Sequence, residues 1–344
     1  MQDQLLFLIS APRSGSTLLQ RMIGSHSAVA THPEPHLVTP LAYLGYHDTV
    51  DKAPYDHINS AEAMRLFVSR LPRGENDYLD ALRAYADTLY RRMLDTHPGK
   101  HVFMDKTPAY ALVLPFLTRL YPAARYVVLT RHPLAVFSSY AQSFFEGRWE
   151  DAHAFNPILE RYVPAIARLL RERPVPLAHV QYEALVQDPA AHLERVFAYL
   201  GLPNEPEAVT YGDRFQGEAK GPGDPMGVGR HDRPVTDSVH KWAAELAEDE
   251  GKRALAEAMI ERLDDRDLAA WGWEDRDALW APLADAAAAP GRRMTAPRRN
   301  AAPPLNFYRV QRKVFLALRK DIDKRPHGAV LRRIKYYCDV LLRE

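Results

Sequence analysis

Apolar residues dominate Leu5 to Ser10, give way to the turn Ala11-Pro12-Arg13-Ser14-Gly15-Ser16-Thr17, and return in Leu18-Leu19-Gln20-Arg21-Met22-Ile23. This order predicts a strand, a tight turn and a helix, the opening of a βα unit. From Tyr78 to Thr96 the period lengthens: Leu79, Leu82, Ala86, Leu89, Met93 and Leu94 recur near every 3.6 residues, and Pro98-Gly99 stops the helix they predict. His101 to Asp105 reads as a strand and Ala109 to Leu120 as a helix. Arg125-Tyr126-Val127-Val128-Leu129-Thr130 reads as a buried strand.

The alternation continues with helices at Pro133 to Phe145 and Ile158 to Arg171, a strand at Val175 to Val180, and a helix from Pro189 to Leu200. Gly212 to Arg233 is rich in glycine and has no apolar period, so it reads as a loop; Val239 to Leu263 returns to helical spacing. Trp242, near the start of that helix, suits either the core or a pocket wall. Strands alternating with helices predict an α/β fold, a P-loop-like three-layer sandwich with a central parallel sheet flanked by helices.

Composition narrows the classes. No apolar run approaches the roughly 20 residues that cross a bilayer, and the opening MQDQLLFLIS lacks a basic leader, which predicts a cytoplasmic protein without a transmembrane segment. The single cysteine, Cys338, excludes an intrachain disulfide and any multi-cysteine metal centre. A net charge of +1 conceals a division: from Gly291 onward 15 basic residues face 4 acidic ones, which leaves 30 against 40 before it. No base-reading pattern accompanies the basic segment, so nucleic acid is not the expected partner. The expected organisation is a domain over 1–285, an Ala/Pro/Arg-rich linker over 286–304, and a basic helical extension over 305–344.

A turn between a buried strand and a helix gathers backbone N–H groups around a concavity, and the helix dipole favours an anion there. Ser14, Gly15, Ser16 and Thr17 supply small residues and hydroxyls for such a turn, beside Arg13. The magnesium-dependent form of this device reads G-x-x-x-x-G-K-[ST], and neither its spacing nor its lysine is present. The site is expected to be metal-independent. A second cradle is legible at Leu129-Thr130-Arg131-His132-Pro133, where Arg131 can fork onto a phosphate and Ser139, eight residues later, can add a hydroxyl.

These two segments, in this order, resemble the 5'-phosphosulfate loop and the 3'-phosphate segment of the PAPS-dependent sulfotransferases, PAPS being 3'-phosphoadenosine-5'-phosphosulfate. Asp105-Lys106-Thr107-Pro108 is similar to the lysine-bearing strand end of the bacterial and tyrosylprotein branches, and Gln181-Tyr182-Glu183-Ala184-Leu185-Val186 to a segment whose tyrosine lies near the nucleotide. The resemblance spans Leu5 to Leu263. It implies transfer of a sulfo group from PAPS to a hydroxyl acceptor, with 3'-phosphoadenosine-5'-phosphate as the second product.

Such transfer needs position and positive charge more than covalent help. Arg13 and Lys106 are the candidate charge stabilisers, although Lys106 could instead pair with Asp105. Glu34 lies between Pro33 and Pro35, 21 residues beyond Arg13, a distance that resembles the position of the catalytic glutamate in the tyrosylprotein branch. The prolines restrict its backbone, and the apolar Leu37, Val38 and Leu41 would disfavour its charged form, as suits a base. His231 is the challenger: with Gly223-Asp224-Pro225 it resembles a segment of sulfotransferase domains in polyketide assembly lines. The same loop carries Lys220 and Arg230, which could close over the 3'-phosphate. The rival readings are a phosphoadenosine-binding module without turnover and a P-loop small-molecule kinase. The sequence does not name the acceptor; the basic extension suits an acidic carrier protein, a membrane surface or a second copy of the chain.

Overall fold

The computed structural model describes residues 1–48, 57–212, 214–215 and 231–288, all within a unit that ends at Ala296. Lys220, Arg230, nearly all of the expected linker and the basic extension lie outside the described residues. No described helix is long and apolar enough to cross a membrane.

β1 (Leu5–Ser10) is buried along its whole length because both of its faces are covered. Leu5, Phe7 and Ile9 point into one apolar cluster and Leu6 and Leu8 into another, as the two-residue period of a strand requires. The turn after β1 leads into α1 (Ser16–Gly24), then β2 (Val29–Pro33), the short α2 (Thr39–Ala42), α3 (His57–Ser69), α4 (Glu75–Asp95) and β3 (Val102–Lys106). A 3-10 turn over Pro108–Val113 precedes α5 (Leu114–Leu120), β4 (Arg125–Thr130), α6 (Pro133–Phe145), α7 (Trp149–Phe155), α8 (Ile158–Glu172) and β5 (Leu177–Gln181). Then come α9 (Tyr182–Gln187), α10 (Pro189–Leu200), α11 (Lys241–Glu248), α12 (Glu250–Glu261), α13 (Asp265–Trp271) and α14 (Arg276–Ala288).

The five strands are parallel in the order β2-β3-β1-β4-β5. Leu18, Leu19, Met22 and Ile23 of α1 pack with Leu193, Val196 and Phe197 of α10 on one face. The other face is covered from α4, α5, α6, α8 and α11 to α14. This is the expected parallel sheet between helical layers. β1 and β4 are neighbours, yet the chain leaves β1 for one face through α1 and β4 for the other through α6. Such a switch opens a crevice at the C-terminal ends of the two strands, and both predicted cradles stand there.

Several elements depart from the sequence reading. β2 was not predicted: its last residues, Thr31-His32-Pro33, are polar or proline, and an edge strand tolerates both. The stretch expected to be one helix from Val239 to Leu263 breaks at Asp249, whose side chain accepts the Lys252 amide and caps α12. The predicted helix Ala109 to Leu120 begins as a 3-10 turn. In α4 the buried stripe runs through Tyr90, whereas Leu89 is 43% exposed. Trp242 is core: it is 1% exposed and stacks on His132 with ring centroids 4.1 Å apart.

Candidate active site

The turn after β1 bends through two left-handed residues, Arg13 at φ 68° and Gly15 at φ 90°. Gly15 is the N-cap of α1, and the first amides of that helix have no partner within it. A Cβ on Gly15 would stand 2.5 Å from the Tyr182 ring, so only glycine lets that ring close over the turn. Arg13 reaches across the crevice, its Nε donating to Ser139 Oγ at 3.3 Å. Residues 126 positions apart in the chain thereby join the two cradles.

Arg131 follows β4 and is 7% exposed. Its Nη1 donates to the Arg13 carbonyl at 3.2 Å and its Nη2 to the Ser238 carbonyl at 2.8 Å. The guanidinium lies 4.3 Å from the centre of the Tyr182 ring, a cation–π contact, and the Tyr182 hydroxyl in turn meets Ser238 Oγ at 2.8 Å. Burial disfavours the Arg131 charge, with Tyr182 and Glu183 opposing that effect. Trp271 Nε1 donates to the Arg131 carbonyl at 2.8 Å and fixes its backbone. Arg131 Nε and Ser14 Oγ are buried without a hydrogen-bond partner. Orphaned polar atoms at a cradle are what a bound anion would satisfy.

Glu34 follows β2 at φ 25° and is one of two strained residues in its loop, His36 at φ 52° being the other. The β2–β3 register sets Pro33 opposite Lys106, which brings Lys106 Nζ to 2.6 Å from Glu34 Oε1. His36 Nε2 lies 3.8 Å from the second oxygen, Oε2. The partners of Glu34 are thus two cationic or titratable groups rather than the apolar run expected around it. Lys106 is 2% exposed and does not pair with Asp105. That carboxylate points to the other side of β3, where the hydroxyls of Tyr90, Tyr110 and Thr107 donate to it.

A single cavity of about 510 Å³ gathers these parts. Arg13, Gly15, Ser16, Thr17, Arg131, Ser139, Tyr182, Glu34 and His231 all line it. Ser14, fully buried, stands behind the turn, and Lys106 stands behind Glu34. His231 is exposed at the rim. The cavity also brings in residues that the sequence reading did not single out: His36, Tyr162, Ser238 and Lys241. Ser238 and Lys241 sit beside the predicted start of the helix at Val239, but nothing in their spacing announces a contact with Arg131.

The turn after β1, the Arg131 segment and the pair formed by Glu34 with the buried Lys106 meet at one cavity, an arrangement that can hold a doubly anionic ligand beside a carboxylate. The sequence model of the sulfotransferase family matches residues 6–206, a span that contains both cradles, Glu34 and Lys106. Nodulation protein NoeE of Sinorhizobium fredii is 30% identical over 230 residues, which cover 60% of this chain and 51% of that protein. The chain therefore spans about half the length of that relative. Among solved structures, the sulfotransferase domain from the Synechococcus PCC 7002 olefin synthase is 23% identical, with a TM-score of 0.47 over 76% of this chain and 95% of that one. The sulfotransferase domain from the curacin biosynthetic pathway is 22% identical, with a TM-score of 0.44 over 69% of this chain and 89% of that one. By the family match and the cradles it encloses, the chain belongs to the sulfotransferase family.

Proposed function

We propose that the protein transfers the sulfo group of PAPS to a hydroxyl acceptor, with Glu34 as general base and without a metal ion. The observation that carries this reading is the junction of the two cradles, Arg13 Nε on Ser139 Oγ and Arg131 on the Arg13 carbonyl, in the cavity that Glu34 lines. When bound, PAPS supplies a sulfo group already activated as a phosphosulfate anhydride. In this reading the P-loop-like turn Arg13 to Thr17 and the α1 amides hold the 5' side, while Arg131, Ser139 and Tyr182 hold the 3'-phosphate; the unpartnered Nε of Arg131, a residue that lines the cavity, fits that role.

Glu34 Oε1 is committed to Lys106, which leaves Oε2 to take the proton of an acceptor hydroxyl. Lys106 holds the carboxylate in one orientation and adds positive charge behind the reacting atoms. Arg13, nearest the junction, stabilises the charge that builds on the leaving oxygen. His231 at the rim orients the acceptor. The basic segment after Gly291 serves as a docking surface for an acidic partner that carries the acceptor.

The test is incubation with radiolabelled PAPS and a panel of hydroxyl compounds in the presence of a metal chelator. Labelled ester and an equal amount of 3'-phosphoadenosine-5'-phosphate are expected. Binding of that bisphosphate with no acceptor-dependent turnover, even toward extracts rich in hydroxyl compounds, would replace the enzyme by a binding module. No heat on its titration at low ionic strength would remove the nucleotide altogether.

A further inference from the structure

Glu34 must be held to a fraction of an ångström to act as a base, yet it sits in a loop that carries two non-glycine residues at positive φ. Each such residue costs on the order of 1–3 kcal/mol and persists only where its surroundings over-determine it. The loop's first end is fixed by the ladder that pairs Pro33 with Lys106. Its far end is fixed elsewhere. The amide of Val38, a fully buried residue at the N-cap of α2, donates to the Tyr110 hydroxyl at 3.1 Å.

The Tyr110 hydroxyl is itself oriented. It donates its one proton to Asp105 Oδ2 at 2.8 Å, and Tyr90 donates to the same oxygen at 2.6 Å. Thr107 Oγ1 takes the other oxygen at 2.9 Å. Asp105 and Tyr110 are both fully buried. Burial disfavours the Asp105 charge, and the hydrogen bonds from Tyr90, Tyr110 and Thr107 oppose that effect; with its proton given to Asp105, the phenol has only lone pairs to offer Val38. Burial and Asp105 together push the Tyr110 phenol far above its ordinary range, so it keeps that proton at any working pH.

Successive residues of β3 point to opposite faces, and this divides the labour at its C-terminal end. Lys106 grips the Glu34 carboxylate directly. Asp105, on the other side, reaches the same loop through Tyr110 and Val38. We propose that Tyr110, oriented by Asp105, is a positioning residue for Glu34: its hydroxyl holds the Val38 amide and so fixes the far end of the loop that carries the base. The proposal rests on Glu34 as the base.

The experiment uses the full chain and Tyr110→Phe, which keeps the ring that packs edge-on against Phe7 and removes one oxygen. Expected is a kcat lower by roughly 10- to 100-fold, an unchanged Kd for 3'-phosphoadenosine-5'-phosphate, and faster hydrogen exchange at the Val38 amide. Wild-type kcat with wild-type exchange at Val38 overturns the proposal. So does a loss of bisphosphate affinity as large as the loss of kcat, because that marks general disorder of the fold. Should Tyr110→Phe not fold, exchange in the wild-type protein decides: a Val38 amide that exchanges as fast as those of exposed loops is not held. Undiminished turnover in Glu34→Gln would remove the base while leaving the Val38 measurement to judge the hold.

Discussion

Lys106 Nζ lies 2.6 Å from Glu34 Oε1, and the two residues follow from neighbouring parallel strands whose register sets Pro33 opposite Lys106. Because Lys106 is 2% exposed, its ammonium has little access to solvent in place of the Glu34 carboxylate. In the proposed role of Glu34 as base, the carboxylate and the buried lysine that holds it are expected to act as one unit. Glu34→Gln is expected to lower turnover by about 100-fold or more while bisphosphate binding persists. Lys106→Met should lower turnover comparably, and the double variant should be little worse than either. Steady-state rates for the three, with calorimetry of the bisphosphate, check this; additive losses would show that the pair does not act together.

The second cradle depends on the shape of a guanidinium as well as its charge. Arg131 divides two nitrogens between the carbonyls of Arg13 and Ser238, lies against Tyr182, and has its Nε without a hydrogen-bond partner. A lysine cannot reproduce this fork. Arg131→Lys is therefore expected to weaken bisphosphate binding by roughly 10- to 100-fold, measured by calorimetry. The rate at saturating donor should change less than the affinity, since Arg131 stands at the end of the nucleotide remote from Glu34 in the proposed arrangement.

How much of this could be read beforehand depends on whether a feature is local. The strands Leu5–Ser10 and Arg125–Thr130 and the helices Pro133–Phe145 and Pro189–Leu200 have the expected limits, because each is bounded by proline or by a polar turn and buries a continuous stripe. β2 escaped notice because only its first three residues are buried. The segments containing Arg13, Glu34, Lys106 and Arg131 were legible as motifs. Their pairing was not: Lys106 with Glu34, Arg13 with Ser139 and Arg131 with Ser238 are fixed by strand order and helix direction, which single segments do not carry. Ser238 and His36 had no local signature at all, since one acts largely through its carbonyl and the other through a left-handed backbone.

Gly15 offers a test of the turn itself. Its φ of 90° already disfavours any side chain, by about 1–2 kcal/mol, and a Cβ would press to 2.5 Å from the Tyr182 ring. Gly15→Ala should therefore cost at least about 2 kcal/mol in urea unfolding. Adding Tyr182→Ala removes the overlap but not the backbone strain, so the double variant should lose less stability than the two singles combined. Strict additivity would show that ring and turn do not press on one another.

His132 gives the fold a definite response to acid. It is 2% exposed, stacks on Trp242, and engages the Leu279 carbonyl through Nε2, while Nδ1 has no hydrogen-bond partner. Burial, aided by the nearby Arg131 charge, lowers its pKa to about 3 from an ordinary value of 6.5. The native state thus holds His132 neutral where the unfolded chain would bind a proton. The resulting contribution to stability is fully present above pH 6.5 and is lost as pH falls through the window between 6.5 and about 3. At the bottom of that window the loss is on the order of 5 kcal/mol. His132→Phe keeps a flat ring against Trp242, gives up the hydrogen bond to Leu279, and removes the titration. It should be less stable than the wild type at pH 7 by about 1 kcal/mol and should lose less stability on acidification. Urea unfolding at several pH values across the window measures both slopes, and parallel slopes would mean that the histidine is not the group taking up the proton.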